Sequence, residues 1–210
     1  MKKPICIAMA SLAFAALAGA ADTPSRPAPT TLAAPKSPSL RVDARGFIHR
    51  WRVLEPIAVP GRLTEPAVQE ALQSAPFPAG DDARWHAFDT RLYNFNLYHF
   101  AWSLSKPTSN VLFWVTTTVD SPVEMQDVRL AIGSNAASRW WLNGDLVVAL
   151  NDDRQTVIDD GVSRRLTLRK GRNVIRAAII NGGGATDFCA RFLDAGDRPI
   201  TSLDVSLNPD

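Results

Sequence analysis

The sequence is poor in the residues that carry covalent chemistry. Its 210 residues include two cysteines and three histidines. Cys6 lies in the N-terminal apolar run and lacks the small-residue context after a leucine that lipidation needs, so Cys189 is left alone and no internal disulfide can form. His49, His86 and His99 each sit beside an aromatic or apolar neighbour, too sparse a set for a metal-dependent hydrolase. There is no G-x-S-x-G elbow, H-E-x-x-H helix, Walker loop or C-x-x-C pair. Strong charge is missing too: the formal net charge of +2 includes Lys2 and Lys3, which gives no reason to expect a nucleic-acid or anionic-membrane partner. No apolar run of about 18 residues follows the N-terminal segment, so the mature chain has no expected membrane span. These gaps point away from an enzyme.

What is present begins with an export signal. Residues 1–20 combine Lys2-Lys3, an apolar stretch from Ile5 to Leu17 and the small-residue site Ala18-Gly19-Ala20, the pattern of a cleaved signal peptide. The expected location is the periplasm or the exterior. Residues 21–40 hold five prolines and no aromatic ring, and such a segment cannot bury enough apolar surface to offset its ordering entropy. It reads as a disordered linker. Residues 41–210 then fit a single domain.

Within that domain Phe47 to Leu54 reads as a first strand. Thr64 to Gln73 reads as a short helix, with Thr64 as N-cap and Pro66 in the first turn, where a missing N–H costs nothing. The helix is expected to cover an open end. From Trp85 onward, runs of alternating apolar and polar residues are broken by turn signals, among them Asn143-Gly144, Lys170-Gly171 and the Gly182-Gly183-Gly184 loop, read as a hairpin connection. Asn-Gly between two apolar runs is the strongest short-range hairpin signal. The pattern describes an all-β antiparallel sandwich with one short helix near its N-terminal side.

Period-two alternation assigns faces. Val111, Phe113, Val115, Thr117 and Val119 form a core face, leaving Leu112, Trp114, Thr116 and Thr118 on the other. Leu97 to Leu104 reads as a strand with Tyr98, Phe100, Trp102 and Leu104 on one side. Phe188, Ala190 and Phe192 oppose Asp187, Cys189 and Arg191, and Cys189 reads as a small filler. Asn173 to Asn181 is apolar on both faces except at Arg176, as in a strand covered on each side, so Arg176 is expected to meet a carboxylate.

The order WLNG, a strand ending at Lys170-Gly171, then Asn173-Val174-Ile175-Arg176 and the strand holding Arg191-Phe192-Leu193-Asp194, resembles the closing half of the galactose-binding-like jelly-roll modules that accompany many secreted glycoside hydrolases and esterases. The resemblance covers roughly the C-terminal half of the chain and is one of strands and turns. It implies a jelly-roll fold and, as a function, noncatalytic carbohydrate binding.

Sugar recognition needs flat rings against the C–H face of a pyranose and planar polar groups for its hydroxyls. The six tryptophans supply rings. Trp141 and Trp114 fall on the polar sides of their strands, and Trp141 shares its face with Arg139 and Asn143, whereas Trp140 should be buried. Around Trp141 the strand ends and loops offer Asn143, Asp152, Arg154, Asn181, Asp187 and Arg191, and the loop before residue 97 offers Tyr93 and Asn96. The opposing reading of Trp141 is a packing residue, which is also what the WLNG tryptophan often is in the resembled modules.

No metal ligand set is assigned. Asn151-Asp152-Asp153 with Asp159-Asp160 offers the hard oxygens that suit Ca²⁺, and the resemblance adds a structural calcium as an option, against solvated turn residues as the plainer reading. Three functions stay open: an exported saccharide-binding module, a structural or docking domain for another envelope protein, and a hydrolase built on a carboxylate pair such as Asp159 and Asp187.

Overall fold

The computed structural model describes residues 31–78 and 84–207. The expected signal peptide and the first half of the linker, residues 21–30, fall outside them. Among the described residues the elements run β1 (Leu32–Ala33), β2 (Leu40–Arg41), β3 (Arg50–Leu54), β4 (Ile57–Ala58), α1 (Glu65–Ser74), β5 (Trp85–Thr90), β6 (Phe95–Asn96), α2 (Leu97–Ser103), β7 (Val111–Ser121), β8 (Met125–Ser134), β9 (Ala137–Leu142), β10 (Asp145–Leu150), β11 (Gly161–Val162), β12 (Leu166–Leu168), β13 (Gly171–Asn181), β14 (Asp187–Leu193) and β15 (Asp204–Ser206).

They form an antiparallel β-sandwich. The large sheet is ordered β1-β5-β3-β7-β13-β9-β10, with β4 and β15 pairing along β7 and β2 pairing with β15. The small sheet is ordered β11-β8-β14-β6, and β12 also pairs with β8. The chain changes sheet at β5–β6, β6–β7, β7–β8, β8–β9, β10–β11, β12–β13, β13–β14 and β14–β15, so most connections between strands cross from one layer to the other. Asn143-Gly144 is a true hairpin: both residues have positive φ, 52° and 95°, as a tight turn matched to strand twist requires. Lys170-Gly171 instead passes the chain from one sheet to the other, and so does the triple-glycine loop, which was expected to close a hairpin.

Alternation places one apolar face of each sheet in a shared interior. Val111, Phe113, Val115 and Val119 of β7 meet Phe188, Ala190 and Phe192 of β14 there, as expected. At the centre Trp51 and Trp140 pack edge-on to each other and to Phe188, with ring centroids 6.1, 5.0 and 5.6 Å apart. Such pairs add about 0.5–1.5 kcal/mol each beyond the area they bury.

Four expectations fail for reasons of context. Residues 97–103 are α2, because the Asn96 side chain accepts the His99 N–H at 2.7 Å and starts a turn, which buries Leu97, Phe100 and Ala101 on one helical stripe. α1 begins where the sequence placed it, with Thr64 at the N-cap, but it lies on the outer face of the large sheet and does not plug an end. Val68, Ala71 and Ala75 cover Leu112, Trp114, Ala178 and Ile180. Arg176 stands beyond the reach of that helix, exposed, and its guanidinium lies 4.3 Å from the Phe77 ring centre instead of against a carboxylate. The stretch read as linker is partly tied down: Leu32 and Ala33 pair with β5, Leu40 and Arg41 with β15, and the buried Arg50 guanidinium reaches the Ser37 carbonyl at 2.7 Å.

Candidate functional site

The ten residues singled out in the sequence do not converge on one place. Tyr93, Asn96, Arg154, Asp187 and Arg191 converge on the outer side of the small sheet, where the loop 151–160 crosses β8 and β14. Small residues make room for it: a Cβ on Gly133 would stand 2.3 Å from the Val157 carbonyl oxygen. Polar side chains then strap it down. Arg191 Nε donates to Asp159 Oδ1 at 2.9 Å and its Nη2 donates to the other carboxylate oxygen. Thr156 Oγ1 donates to Asp187, whose second oxygen accepts from Asn94. The Arg154 guanidinium pairs with Asp160, and its backbone N–H meets the Asn135 carbonyl at 3.4 Å. Asn135 in turn accepts the Asp187 N–H at 3.0 Å.

Almost every donor and acceptor in that region is committed within the protein. The hydrogen bond to Asp159 raises the Arg191 pKa above its ordinary value. Cys189, beneath the strap, is buried, and burial pushes its thiol up to about 12. Tyr93 packs on Phe47 at 5.4 Å and Asn96 is the α2 cap. Of the carboxylates considered for calcium or for hydrolysis, Asp159, Asp160 and Asp187 serve here as ion-pair or hydrogen-bond partners, and no group of three His, Cys, Asp or Glu among the described residues is arranged to hold a metal ion. The region is built as a structural clasp.

Asn143 and Asn181 are likewise spent. Asn143 bonds Asn173 at 3.0 Å and accepts the Val174 N–H at 2.9 Å, which fixes the hairpin against β13. Asn181 is buried and holds the Thr108 carbonyl at 2.7 Å. Asp152 is exposed in a turn whose N–H meets the Leu63 carbonyl. Trp114 was placed on a polar side, yet α1 covers that half of the face: the ring is 4% exposed and its indole N–H donates to the Ala75 carbonyl.

Trp141 differs from these. It lies on the same outer face, 5.6 Å from Trp114 and packed against the cluster that α1 covers, but it is only half-buried. Trp51, Trp114 and Trp140 donate their indole N–H to Ile48, Ala75 and Ser138. The Trp141 N–H has no acceptor among the described residues. Register sets Trp141 directly opposite Leu146 on β10 and Arg176 on β13, so the three share one surface row. Leu146 is 48% exposed. Two residues back on β9, the buried Arg139 guanidinium pairs with Glu65 and bonds Asn151 at 2.7 Å, tying α1 and the strap's first residue to the strand that carries Trp141. Burial lowers the Arg139 pKa and the Glu65 charge opposes that. Sequence reasoning singled out Trp141 and Arg176 separately and did not consider Leu146; it could not place the three side by side, since alternation gives a residue's face and not its partner across the strand gap.

A separate cleft of about 490 Å³ opens between the sheets near the Asn143-Gly144 turn. Leu142, Val147 and Leu166 form its apolar lining, with Asp127, Asp145, Arg164 and Arg169 around them. No aromatic ring lines it. These charged residues were not singled out in the sequence, where the stretch reads only as a strand ending at Lys170-Gly171.

No family model and no curated protein matches the chain. Among solved structures it is similar to an anti-sigma factor domain-containing protein, with 10% identity and a TM-score of 0.46, over 76% of this chain and 46% of that one. It thus spans under half of that protein's length. It is also similar to the PA14 domain of the MpAFP antifreeze protein, at 10% identity and a TM-score of 0.46 over 83% and 95% of the two chains. A third is a PA14 sugar-binding domain from an RTX adhesin, at 14% identity and a TM-score of 0.42 over 77% and 78%. At such identities and scores the likeness assigns no function.

Proposed function

We propose that this protein is an exported, noncatalytic saccharide-binding module whose contact surface is the row Leu146, Trp141, Arg176 on the outer face of the large sheet. The carrying observation is the Trp141 indole, which keeps a partly open ring and an unspent N–H where three other tryptophans have buried theirs. A pyranose laid on the ring would cover apolar C–H surface, with Leu146 extending the platform. Its hydroxyls would find donors in the indole N–H and in Arg176, whose cation–π contact with Phe77 holds the guanidinium in place without consuming its N–H groups. The surface rests on paired strands, which makes it preformed.

The test is a glycan array probed with wild type and Trp141→Ala. A saccharide signal that disappears in a variant that remains folded at the assay temperature, with the wild-type circular dichroism spectrum, supports the proposal; a blank array for wild type overturns it and leaves docking on another envelope protein. Turnover of chromogenic glycosides or acetyl esters would contradict the noncatalytic assignment.

A further inference from the structure

We infer that the cleft between the sheets binds a short extended peptide bearing both a cation and a carboxylate. Two free strand edges border it. β10 ends the large sheet, pairing only with β9, and no other backbone hydrogen bond among the described residues reaches it. β12 pairs only with β8 in the small sheet. Edges are commonly blunted by lysine, proline or bulges; β10, Asp-Leu-Val-Val-Ala-Leu, has no lysine or proline, and its irregularity is confined to residues 146–148, leaving 148–150 in regular register. A register shift between Leu146 and Val148 turns Val147 into the cleft.

The charges beside those edges are unspent. Arg165 is committed to Asp197 and to two carbonyl oxygens. Arg164 and Arg169 are exposed and have no ion-pair partner among the described residues, and the same holds for Asp127 and Asp145. A volume of about 490 Å³ lies within the common range for small-ligand sites, about 300–1,000 Å³. Without an aromatic ring the cleft has no platform for a pyranose. A second copy pairing antiparallel along β10 would bring the acidic turn at Asp145 beside the Asp152-Asp153 turn of the other copy, which like charge opposes.

A peptide strand added to the β10 edge satisfies both requirements. Its main chain takes the free hydrogen-bonding groups, an apolar side chain rests on Val147 and Leu166, its carboxylate meets Arg164 or Arg169, and its cation meets Asp127 or Asp145.

The test is calorimetric titration of the full chain with acetylated, amidated Lys-Val-Glu and Thr-Val-Thr, together with amide exchange. The charged peptide should bind about tenfold more tightly, weaken with salt and slow exchange at residues 146–149. Arg164→Ala/Arg169→Ala should lose that advantage at unchanged Tm, and so should Asp145→Asn, whose side chain holds no hydrogen bond or ion pair among the described residues. Equal binding of the two peptides, no binding, indifference to both variants, or protection away from β10 would overturn the inference.

Discussion

Arg191 grips both oxygens of the Asp159 carboxylate, and this pair holds the loop 151–160 across the outer face of the small sheet. The side chains are 14% and 26% exposed, so solvent screens the pair only in part. Beneath it lies Cys189, itself buried. Mechanical closure of the loop and protection of the thiol are therefore one structural event.

Asp159→Asn should weaken the strap, costing about 1–2 kcal/mol in urea unfolding, the low end for a charge-assisted hydrogen bond because of partial exposure. Alkylation of Cys189 by iodoacetamide should be slow in wild type, where the thiol is buried and its pKa stands at about 12. Faster labelling is expected in the variant. Equal rates would mean that the loop stays closed without the pair.

Gly133→Ala tests the same closure from below. The new methyl would meet the Val157 carbonyl oxygen at 2.3 Å, and that oxygen belongs to backbone, so the loop itself must move. A loss of about 1–3 kcal/mol, the usual cost of overpacking, should accompany faster Cys189 labelling. An unchanged melting temperature would show that the strap yields freely.

Trp114→Ala and Trp141→Ala should separate packing from recognition. Trp114 fills the space under α1, and its loss should cost about 3–5 kcal/mol. Trp141, half-buried, should cost about 1–2 kcal/mol, reflecting partial area loss, and leave a folded protein. Circular dichroism with thermal melting decides the comparison, and equal losses would make Trp141 a core residue.

Acid should destabilise the protein through Asp43 and Glu55. Burial pushes the Asp43 pKa up, but the Phe47 and Arg45 N–H groups and the His49 ring together bring it below the ordinary 3.8. Glu55 is held below 4.5 chiefly by the Lys106 hydrogen bond, against burial, with help from His86. For carboxylates lowered in the folded state, the unfolded chain takes up protons first. Their stabilisation is present above the unfolded pKa values and is lost as pH falls through the folded ones. The urea midpoint should fall below about pH 4.5, and Asp43→Asn should flatten that fall. A variant with the wild-type acid profile would remove Asp43 from the account.

Much of the fold was legible in the chain. Alternation in residues 111–119 and 188–192 fixed which side chains enter the sandwich interior, because a pleated strand sends neighbours to opposite faces whatever surrounds it. Asn143-Gly144 marked a hairpin because both positions need positive φ. Thr64 and Pro66 marked the start of α1 through local backbone chemistry.

The remaining features depended on what lies above each face, which a linear pattern does not encode. Residues 97–103 alternate like a strand, but a cap from Asn96 and a neighbouring core turned them into a helix. Trp114 and Trp141 carry the same local signal, and packing beneath α1 buries the first fully and the second only in part. Arg176 was expected under cover and stands in the open because that helix ends before reaching it. Asp187 and Arg191 became a clasp, not a ligand surface, once a loop more than thirty residues upstream folded over them. Local sterics and hydrogen bonding decide strand, turn and face; only the packing of distant segments decides whether a face meets solvent, a helix or a loop.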